Sequence, residues 1–341
     1  MKRQFIPLFL ATTSVSVMTA FWAGIFLTPT VLHEAAATST LMGADFVMEE
    51  GQSAVSYEDL VEADVADFEL YTESSPDAVR LRKPSSSYLL SVAGEPKLAS
   101  GEIGVRVPVF MYHHIRYLPR TATAKERLYS VAPDVFEAQM EELVRAGYHT
   151  ITPDELDQAM KTGYATLPTK PVLLTFDDGY KDQFAHAYPV LKRLGLKATF
   201  FIVTEAYKNR GSMTREMIQQ VDREGLITIG AHTENHAFLN KIGASTRHQE
   251  IAGSKKSLEE LLGHAVNTFA YPYGAWTDSI AQEVKDAGFT LAFWIRMGSL
   301  HGESSRFVLR RIRVLDGESL LPALEVFSAT TTAPVTYSNL P

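Results

Sequence analysis

The sequence predicts an α/β fold in which helices cover a parallel β-sheet. Between residues 105 and 327, segments with strand character alternate with segments of helical periodicity. Several strand segments are apolar along their whole length, which is typical of strands buried on both faces of a parallel sheet. Polar motifs directly follow several strands, and in α/β barrels the active site lies at that carboxyl end.

The predicted strands are short runs rich in β-branched and aromatic residues. The run 171–176 is apolar throughout and leads into an acidic turn. The other predicted strands are 105–111, 148–151, 198–203, 226–230, 266–271, 291–295 and 307–314.

The predicted helices are recognised by apolar residues at helical spacing and by their end signals. Pro133 begins a helix whose apolar face includes Phe136 and Leu143, and Gly147 ends it. Thr152 is the expected N-cap of the next helix. The remaining predicted helices are 181–194, 214–224, 246–262, 279–287 and 319–327.

The N-terminal segment 1–37 is predicted to be a membrane signal anchor. After Lys2 and Arg3, residues 5–27 are uncharged and mostly apolar, long enough for a bilayer span of about 20 residues. The basic pair is expected to keep the N-terminus in the cytoplasm and send the rest outside. The alternatives are a signal peptide cleaved near Ala35-Ala36-Ala37, which leads to secretion, and a buried helix of the soluble domain.

Residues 38–100 are predicted to form an acidic flexible linker. From Thr38 to Val79 there are 11 Asp and Glu residues and no Lys or Arg, a composition that does not build a core. The formal net charge of −8 belongs to this segment, and no basic stripe indicates a nucleic-acid partner. The chain has no cysteine, which excludes disulfides and thiolate metal sites. Residues 329–341 are predicted to be a disordered tail.

The most informative motif is the turn Thr175-Phe176-Asp177-Asp178-Gly179 at the end of the apolar strand. Two adjacent buried aspartates are costly unless their charge is compensated. His232 and His236, four residues apart after another strand, can join one carboxylate as ligands of Zn²⁺ or a similar divalent metal. The other carboxylate then serves as a general base. Taken singly, each motif reads as a turn or a surface feature, but their joint placement favours a metal-dependent hydrolase.

A third motif, Ala270-Tyr271-Pro272-Tyr273-Gly274, follows a further strand. It reads either as an aromatic turn or as an element that places a backbone N–H and a tyrosine ring at the mouth of the site. A backbone donor near the metal stabilises an oxyanion. The candidate substrate-binding residues around it are Tyr180, Pro272 and Trp276.

The three motifs, in this order, resemble those of the polysaccharide deacetylase family, the NodB-homology domain of carbohydrate esterase family 4. The segment Pro108-Val109-Phe110-Met111-Tyr112-His113-His114-Ile115 also resembles the start of its exopolysaccharide (poly-N-acetylglucosamine) branch. The resemblance implies a distorted (β/α) barrel of about seven strands for residues 101–328.

The resemblance also implies roles for individual residues. Asp177 matches the general base, and the amide of Tyr273 matches the oxyanion donor. Asp178, His232 and His236 match the metal ligands, with Zn²⁺ favoured and Co²⁺, Ni²⁺ and iron as alternatives.

Two positions depart from the family pattern. Better-known members carry a base-orienting arginine where this chain has Ala270, an absence shared by the exopolysaccharide branch. The final motif lacks its histidine, the general acid, for which His301 and His113 are candidate replacements, a weak acid or water being the alternative. The arginines of that last strand are expected to form salt bridges at the barrel rim: Arg310, Arg311 and Arg313.

The resemblance implies a bacterial, membrane-tethered, extracytoplasmic enzyme that hydrolyses N-acetyl groups of an N-acetylglucosamine polymer to acetate and free amine. Its partners are then an N-acetylated polysaccharide and, through the N-terminal helix, the membrane. The sequence does not indicate an oligomeric state. The alternatives are a catalytically degenerate glycan-binding module and a hydrolase of O-acetyl esters or small amides.

Overall fold

The structure is a computed structural model that describes residues 69–72, 79–82 and 98–328. The predicted membrane segment and the predicted tail lie outside these residues, as does most of the predicted linker. Within the linker range, Glu69–Thr72 (β1) and Val79–Arg82 (β2) form an antiparallel pair. No helix in the described part of the chain is long and apolar enough to cross a bilayer.

The remaining strands lie between residues 98 and 328. In chain order they are β3 (Val105–Arg106), β4 (Val109–Tyr112), β5 (His114–Ile115), β6 (Ser130–Val131), β7 (His149–Thr150), β8 (Pro171–Phe176), β9 (Ala198–Ile202), β10 (Ile227–Ala231), β11 (Thr268–Ala270), β12 (Leu291–Phe293), β13 (Leu300–His301) and β14 (Ile312–Arg313).

Helices follow most of these strands. They are α1 (Ala124–Leu128), α2 (Pro133–Arg145), α3 (Pro153–Thr162), α4 (Tyr188–Leu194), α5 (Arg215–Arg223), α6 (Ala244–His248), α7 (Ser254–Leu262), α8 (Asp278–Asp286) and α9 (Leu321–Phe327). A π turn, Gln183–Ala187, leads directly into α4, and a second, Gln249–Gly253, joins α6 to α7.

The main sheet has the strand order β12-β11-β10-β9-β8-β4-β14, and every pairing along this path is parallel. Strand β7 also pairs with β8 in parallel. A single parallel bridge between Phe293 in β12 and Leu309, just before β14, joins the two ends of the path. The predicted parallel sheet with covering helices is confirmed as a half-barrel.

The core explains why these segments form strands and helices. Strand β8 is buried from Val172 onward, so its apolar side chains pack both inside the half-barrel and against the helices outside. On the outer face, the ring of Tyr112 stacks on Phe176 with centroids 5.0 Å apart. Phe136 of α2 packs edge-on against both rings, at 5.3 and 5.7 Å.

The helix ends follow the sequence signals. The Thr152 hydroxyl accepts from the Glu155 N–H at 3.2 Å, and the Glu155 carboxylate accepts from the Thr152 N–H at 2.7 Å. This capping box confirms Thr152 as the N-cap of α3. The predicted helices 181–194 and 246–262 are each interrupted by a π turn, and the predicted strand 307–314 shortens to β14. Helix α1 and strands β5, β6 and β13 were not predicted from the sequence, although Thr123 and Glu126 form a capping box at the start of α1.

We expect Phe136→Ala to lower the free energy of unfolding by about 3–5 kcal/mol, because the truncation leaves a cavity among fully buried aromatic rings. Urea unfolding of the full chain measures this difference. Val144→Ala in the same helix is the control, since Val144 is 44% exposed, and it should change stability by less than about 0.5 kcal/mol. Equal effects from both variants would show that α2 does not pack as described.

Candidate active site

The predicted site residues meet at the carboxyl edge of the sheet. Asp177 and Asp178 directly follow β8, His232 follows β10, and Tyr273 lies in the turn after β11. His236 comes from the same loop as His232. Because neighbouring parallel strands end at the same edge, residues far apart in the sequence converge there.

Asp178, His232 and His236 form a set whose potential ligand atoms all lie within 4.8 Å of one another. The Asp178 Oδ1 atom is 3.1 Å from His236 Nε2 and 3.4 Å from His232 Nε2. His232 Nδ1 lies 2.7 Å from the Ala270 carbonyl oxygen, which accepts its proton and leaves Nε2 as the ligating atom.

The donor set fits a divalent metal. One carboxylate and two imidazoles with room for further ligands suit Zn²⁺ and related ions. Burial alone would raise the pKa of Asp178, but its contacts with His232 and His236 hold that pKa well below its ordinary value. Burial alone would lower the pKa of His232, but the carboxylates of Asp178 and Asp177 raise that pKa above its ordinary value. Such a cluster needs positive charge at its centre, from protons on the imidazoles or from a cation.

The turns that carry the site have strained backbones. In the described residues, five positions other than glycine have positive φ, and four of these lie in the site turns. Each such conformation costs on the order of 1–3 kcal/mol and persists only where the surroundings enforce it. The four are Asp178 (φ 74°), Thr233 (65°), His236 (56°) and Tyr273 (59°).

Asp177 is held by an arginine that the sequence analysis placed elsewhere. Arg311, fully buried just before β14, donates from its two terminal nitrogens to the two carboxylate oxygens of Asp177 at 2.6 and 2.7 Å. Its Nε donates to the Trp294 carbonyl oxygen at 2.9 Å. Burial would raise the pKa of Asp177, but Arg311 keeps it below the ordinary value. Asp177 is therefore an ionised, oriented carboxylate.

Arg311 was expected to form a salt bridge at the barrel rim, and this location is wrong. Its ion pair with Asp177 is buried at the centre of the site. The resemblance implied an arginine at the position of Ala270, at the end of β11. Here the arginine that orients Asp177 comes instead from the segment just before β14. The available signal was an arginine within an apolar strand, because a fully buried arginine requires an acidic partner.

The two candidate proton donors, His113 and His301, lie in different parts of the fold. His113 lies beside the base, with Nε2 4.0 Å from Asp177 Oδ2, and burial lowers its pKa to about 3, so the ring is neutral. His301 lies in β13, which pairs with β3 ahead of β4, and its Nε2 is 3.0 Å from the Val107 carbonyl oxygen. That position is at the opposite end of the strands from Asp177. The expectation that His301 donates a proton at the site is therefore corrected.

The aromatic residues predicted around the site take distinct positions. Tyr180 stacks on His114 with ring centroids 3.5 Å apart, and burial together with the Asp178 carboxylate raises its pKa. The Tyr273 ring packs edge-on against His236 at 4.4 Å and stacks on Phe238 at 3.7 Å. Both tyrosines therefore border the metal-ligand set.

Pro272 and Trp276 belong to the turn after β11 and to the segment that follows it. Pro272 is buried at the start of the 3₁₀ turn Pro272–Gly274, so it shapes the turn from within. Trp276 is partly exposed and packs edge-on against Trp294 at 5.5 Å. Of the two, only Trp276 presents side-chain surface to solvent.

Gln183 is a site-supporting residue that sequence analysis missed. It is fully buried in the first π turn, and its Nε2 donates to the carbonyl oxygens of His113 at 2.8 Å and Asp177 at 2.5 Å. One side chain thus ties the loop after β4 to the loop after β8. Nothing in the local sequence distinguishes it from an ordinary helix residue.

We expect Arg311→Met to lower the free energy of unfolding by about 3–5 kcal/mol near neutral pH, because it leaves the Asp177 carboxylate buried without a partner. In the wild type, Arg311 lowers the pKa of Asp177. The ion pair therefore stabilises the fold fully at pH values above the ordinary carboxyl pKa, and this stabilisation is lost as pH falls through the lowered pKa of Asp177. In Arg311→Met, burial without a partner should raise the pKa of Asp177, so protonation begins to relieve the deficit as pH falls from about 7. The wild-type share of the deficit is lost only below about pH 4, so the range to be measured is about pH 7 to about pH 2.

Urea unfolding of the chelator-treated protein across that pH range measures the deficit. Arg145→Met is the matched control, since Arg145 forms an exposed pair with Glu141 at 3.5 Å and should contribute less than about 1 kcal/mol. A deficit for Arg311→Met that does not change with pH would show that lost packing, and not the unpaired carboxylate, causes it.

Comparisons with known proteins identify relatives of this chain. The profile of the family described as polysaccharide deacetylase matches residues 164–292. YxkH of Bacillus subtilis (strain 168), which bears the name of a polysaccharide deacetylase, is 31% identical over 214 residues, covering 63% of this chain and 73% of that protein. A poly-beta-1,6-N-acetyl-D-glucosamine N-deacetylase of Staphylococcus aureus is 26% identical over 225 residues, covering 62% and 76%.

A solved structure supports the same relationship. The Streptococcus pyogenes deacetylase PplD, determined in complex with acetate, aligns with a TM-score of 0.59 at 27% identity, covering 65% of this chain and 98% of that one. The extent and identity of these matches confirm the resemblance carried by the three sequence motifs. This chain belongs to the polysaccharide deacetylase family of hydrolases.

Proposed function

We propose that this protein is a metal-dependent N-deacetylase that acts on an N-acetylglucosamine polymer and releases acetate and a free amine. The observation that carries the proposal is the ionised base Asp177, fixed by Arg311, next to the ligand set of Asp178, His232 and His236. The poly-N-acetylglucosamine deacetylase among its relatives supports the choice of polymer. Zn²⁺ is the proposed metal, with Co²⁺, Ni²⁺ and Fe²⁺ as alternatives.

In the proposed mechanism, the bound divalent metal supplies Lewis acidity to the acetamide carbonyl and to water. Asp177 accepts the proton of the attacking water, and Arg311 keeps its carboxylate ionised and correctly oriented. The backbone N–H of Tyr273 is the proposed donor to the developing oxyanion.

The leaving amine must receive a proton. His113 is neutral in the resting site, so it has no cationic proton to donate at the start. Its Nε2 lies 4.0 Å from Asp177 Oδ2, so a bridging water would relay to it the proton that Asp177 takes from the attacking water. We propose that His113 passes this proton to the amine, in place of the histidine that the final motif lacks.

The location, the closure of the sheet and the substrate groove are part of the proposal. Residues 1–37 would anchor the enzyme in a bacterial membrane with the catalytic domain outside, secretion after cleavage being the alternative. The bridge between Phe293 and Leu309 would close the sheet into a distorted seven-stranded barrel. Tyr180 and Trp276 would line the polymer-binding groove, and Pro272, which is buried, would hold the shape of the turn beside it.

A glycan-binding module with a degenerate site is the second candidate. The absent arginine at Ala270 and the absent final histidine motivated it. Arg311 opposes it, because an arginine from another strand orients the base. The third candidate is an O-acetyl esterase or small-amide hydrolase. It would use the same catalytic groups as the N-deacetylase, so only the substrates that the protein accepts distinguish the two.

We expect the full-length protein to release acetate from poly-N-acetylglucosamine, to lose this activity in chelator and to regain it when Zn²⁺ is added. Enzymatic acetate detection measures each step, with Asp178→Ala as the inactive control. Release that chelator leaves unchanged would contradict metal dependence. Release from acetylxylan alone would select the esterase, and glycan binding by folded, zinc-loaded protein without any release would select the binding module.

Asp177→Asn should lower kcat by about 10²–10⁴-fold, the usual contribution of a general base, and leave Zn²⁺ affinity nearly unchanged, because Asp177 lies outside the ligand set. Acetate release and Zn²⁺ titration measure the two effects separately. Asp134→Asn, an exposed position at the start of α2, controls for lost surface charge. Loss of zinc together with activity would assign Asp177 to the metal instead.

A further inference from the structure

The loop between the two histidine ligands needs support from outside itself. Two of its residues, Thr233 and His236, have φ values of 65° and 56°, a region that side chains other than glycine rarely adopt. Asn235 between them is exposed to solvent. Contacts with neighbouring elements must therefore hold the loop in the shape that points both imidazoles at Asp178.

One side of the loop is held by backbone hydrogen bonds. The N–H of Thr204 donates to the Thr233 carbonyl oxygen at 3.2 Å, and the N–H of Glu205 donates to the Glu234 carbonyl oxygen at 2.8 Å. These bonds involve only the main chain, so many sequences can supply them. They fix the first half of the loop and leave its second half to other contacts.

The second half is held by Glu250, a buried residue that is 5% exposed. Its Oε2 accepts from the Asn235 backbone N–H at 2.8 Å, and its Oε1 accepts from Asn235 Nδ2 at 2.9 Å. Both carboxylate oxygens thus accept hydrogen bonds from Asn235, the residue directly before His236. A buried carboxylate committed to one loop residue requires a reason, because burying it costs free energy.

The second π turn provides that carboxylate and further contacts with the loop. Gln249 Nε2 donates to Glu234 Oε1 at 2.8 Å. At Gly253 a Cβ atom would come within 2.0 Å of the same oxygen, so the loop lies directly against the turn. Three residues of one π turn therefore contact the loop, and π turns inside helices recur at functional sites.

We propose that Glu250 is a positioning residue for the metal centre, which holds the loop between His232 and His236 through Asn235. The proposal rests on the proposed function in one respect, that these histidines bind a metal. The proposal also explains the helix interruption between α6 and α7. The π turn there brings Glu250 to the loop, while α7 continues to pack on the core.

The test is Zn²⁺ affinity of the full-length protein, measured by competition with a chromogenic chelator. Glu250→Ala should weaken affinity by about 10–100-fold, the usual effect of losing a group that orients a metal ligand. Glu250→Gln should recover most of it, because the amide oxygen still accepts from the Asn235 N–H. Asn235→Ala removes only the Nδ2 bond to Glu250, so in the wild type it should weaken affinity by less than Glu250→Ala does. In the Glu250→Ala background it should add little, because its partner is already gone.

Ser254→Ala is the matched control. Ser254 is fully buried at the start of α7, and its hydroxyl donates to the Ile251 carbonyl oxygen of the second π turn at 2.8 Å, with no bond to the loop between the two histidines. Glu250→Ala that binds Zn²⁺ like the wild type would overturn the proposal, as would equal losses in Glu250→Ala and Ser254→Ala. Should Glu250→Ala fail to fold, Asn235→Ala decides, because it removes the Nδ2 bond to Glu250 from an exposed position and leaves the backbone bond in place. A wild type that binds no Zn²⁺ would instead overturn the proposed function.

Discussion

The buried ion pair between Asp177 and Arg311 is the interaction on which the site depends. Two aspartates stand side by side at the end of a buried strand, and their charges must be compensated separately. Arg311 neutralises Asp177 with two short hydrogen bonds, and the imidazoles converge on Asp178. In the proposed mechanism this division assigns the two roles, because the guanidinium would keep Asp177 from the metal and the imidazoles would join Asp178 as its ligands.

The same pair explains how the site tolerates a departure from the family pattern. The position that carries the arginine in better-known members is Ala270 here, and its carbonyl oxygen instead orients the ligand His232. The cation comes from the segment before β14, which lies beside β12 and β4. The proposed reaction requires a positive charge against Asp177, and in this half-barrel the segment before β14 supplies it.

A second constraint is backbone strain in the site turns, which persists only where contacts with the surrounding structure stabilise them. Positive φ values at Asp178, Thr233 and His236 aim the ligands, and buried polar side chains from helices fasten the turns. Gln183 binds the loop that carries the base, and Glu250 binds the loop that carries the ligands. Both come from π turns. The helices around the sheet thus contribute to the geometry of the site as well as to the core.

The sequence by itself determined the α/β alternation, strand β8, the Thr152 cap and the grouping of Asp178, His232 and His236, because each depends on local periodicity or on short motifs after strands. Only the tertiary structure decided that Arg311 partners Asp177, that His113 reaches the base while His301 does not, and that Gln183 and Glu250 support the loops. Those contacts join residues distant in the chain, and which side chains face each other is fixed by strand order and by helix interruptions that local sequence does not encode.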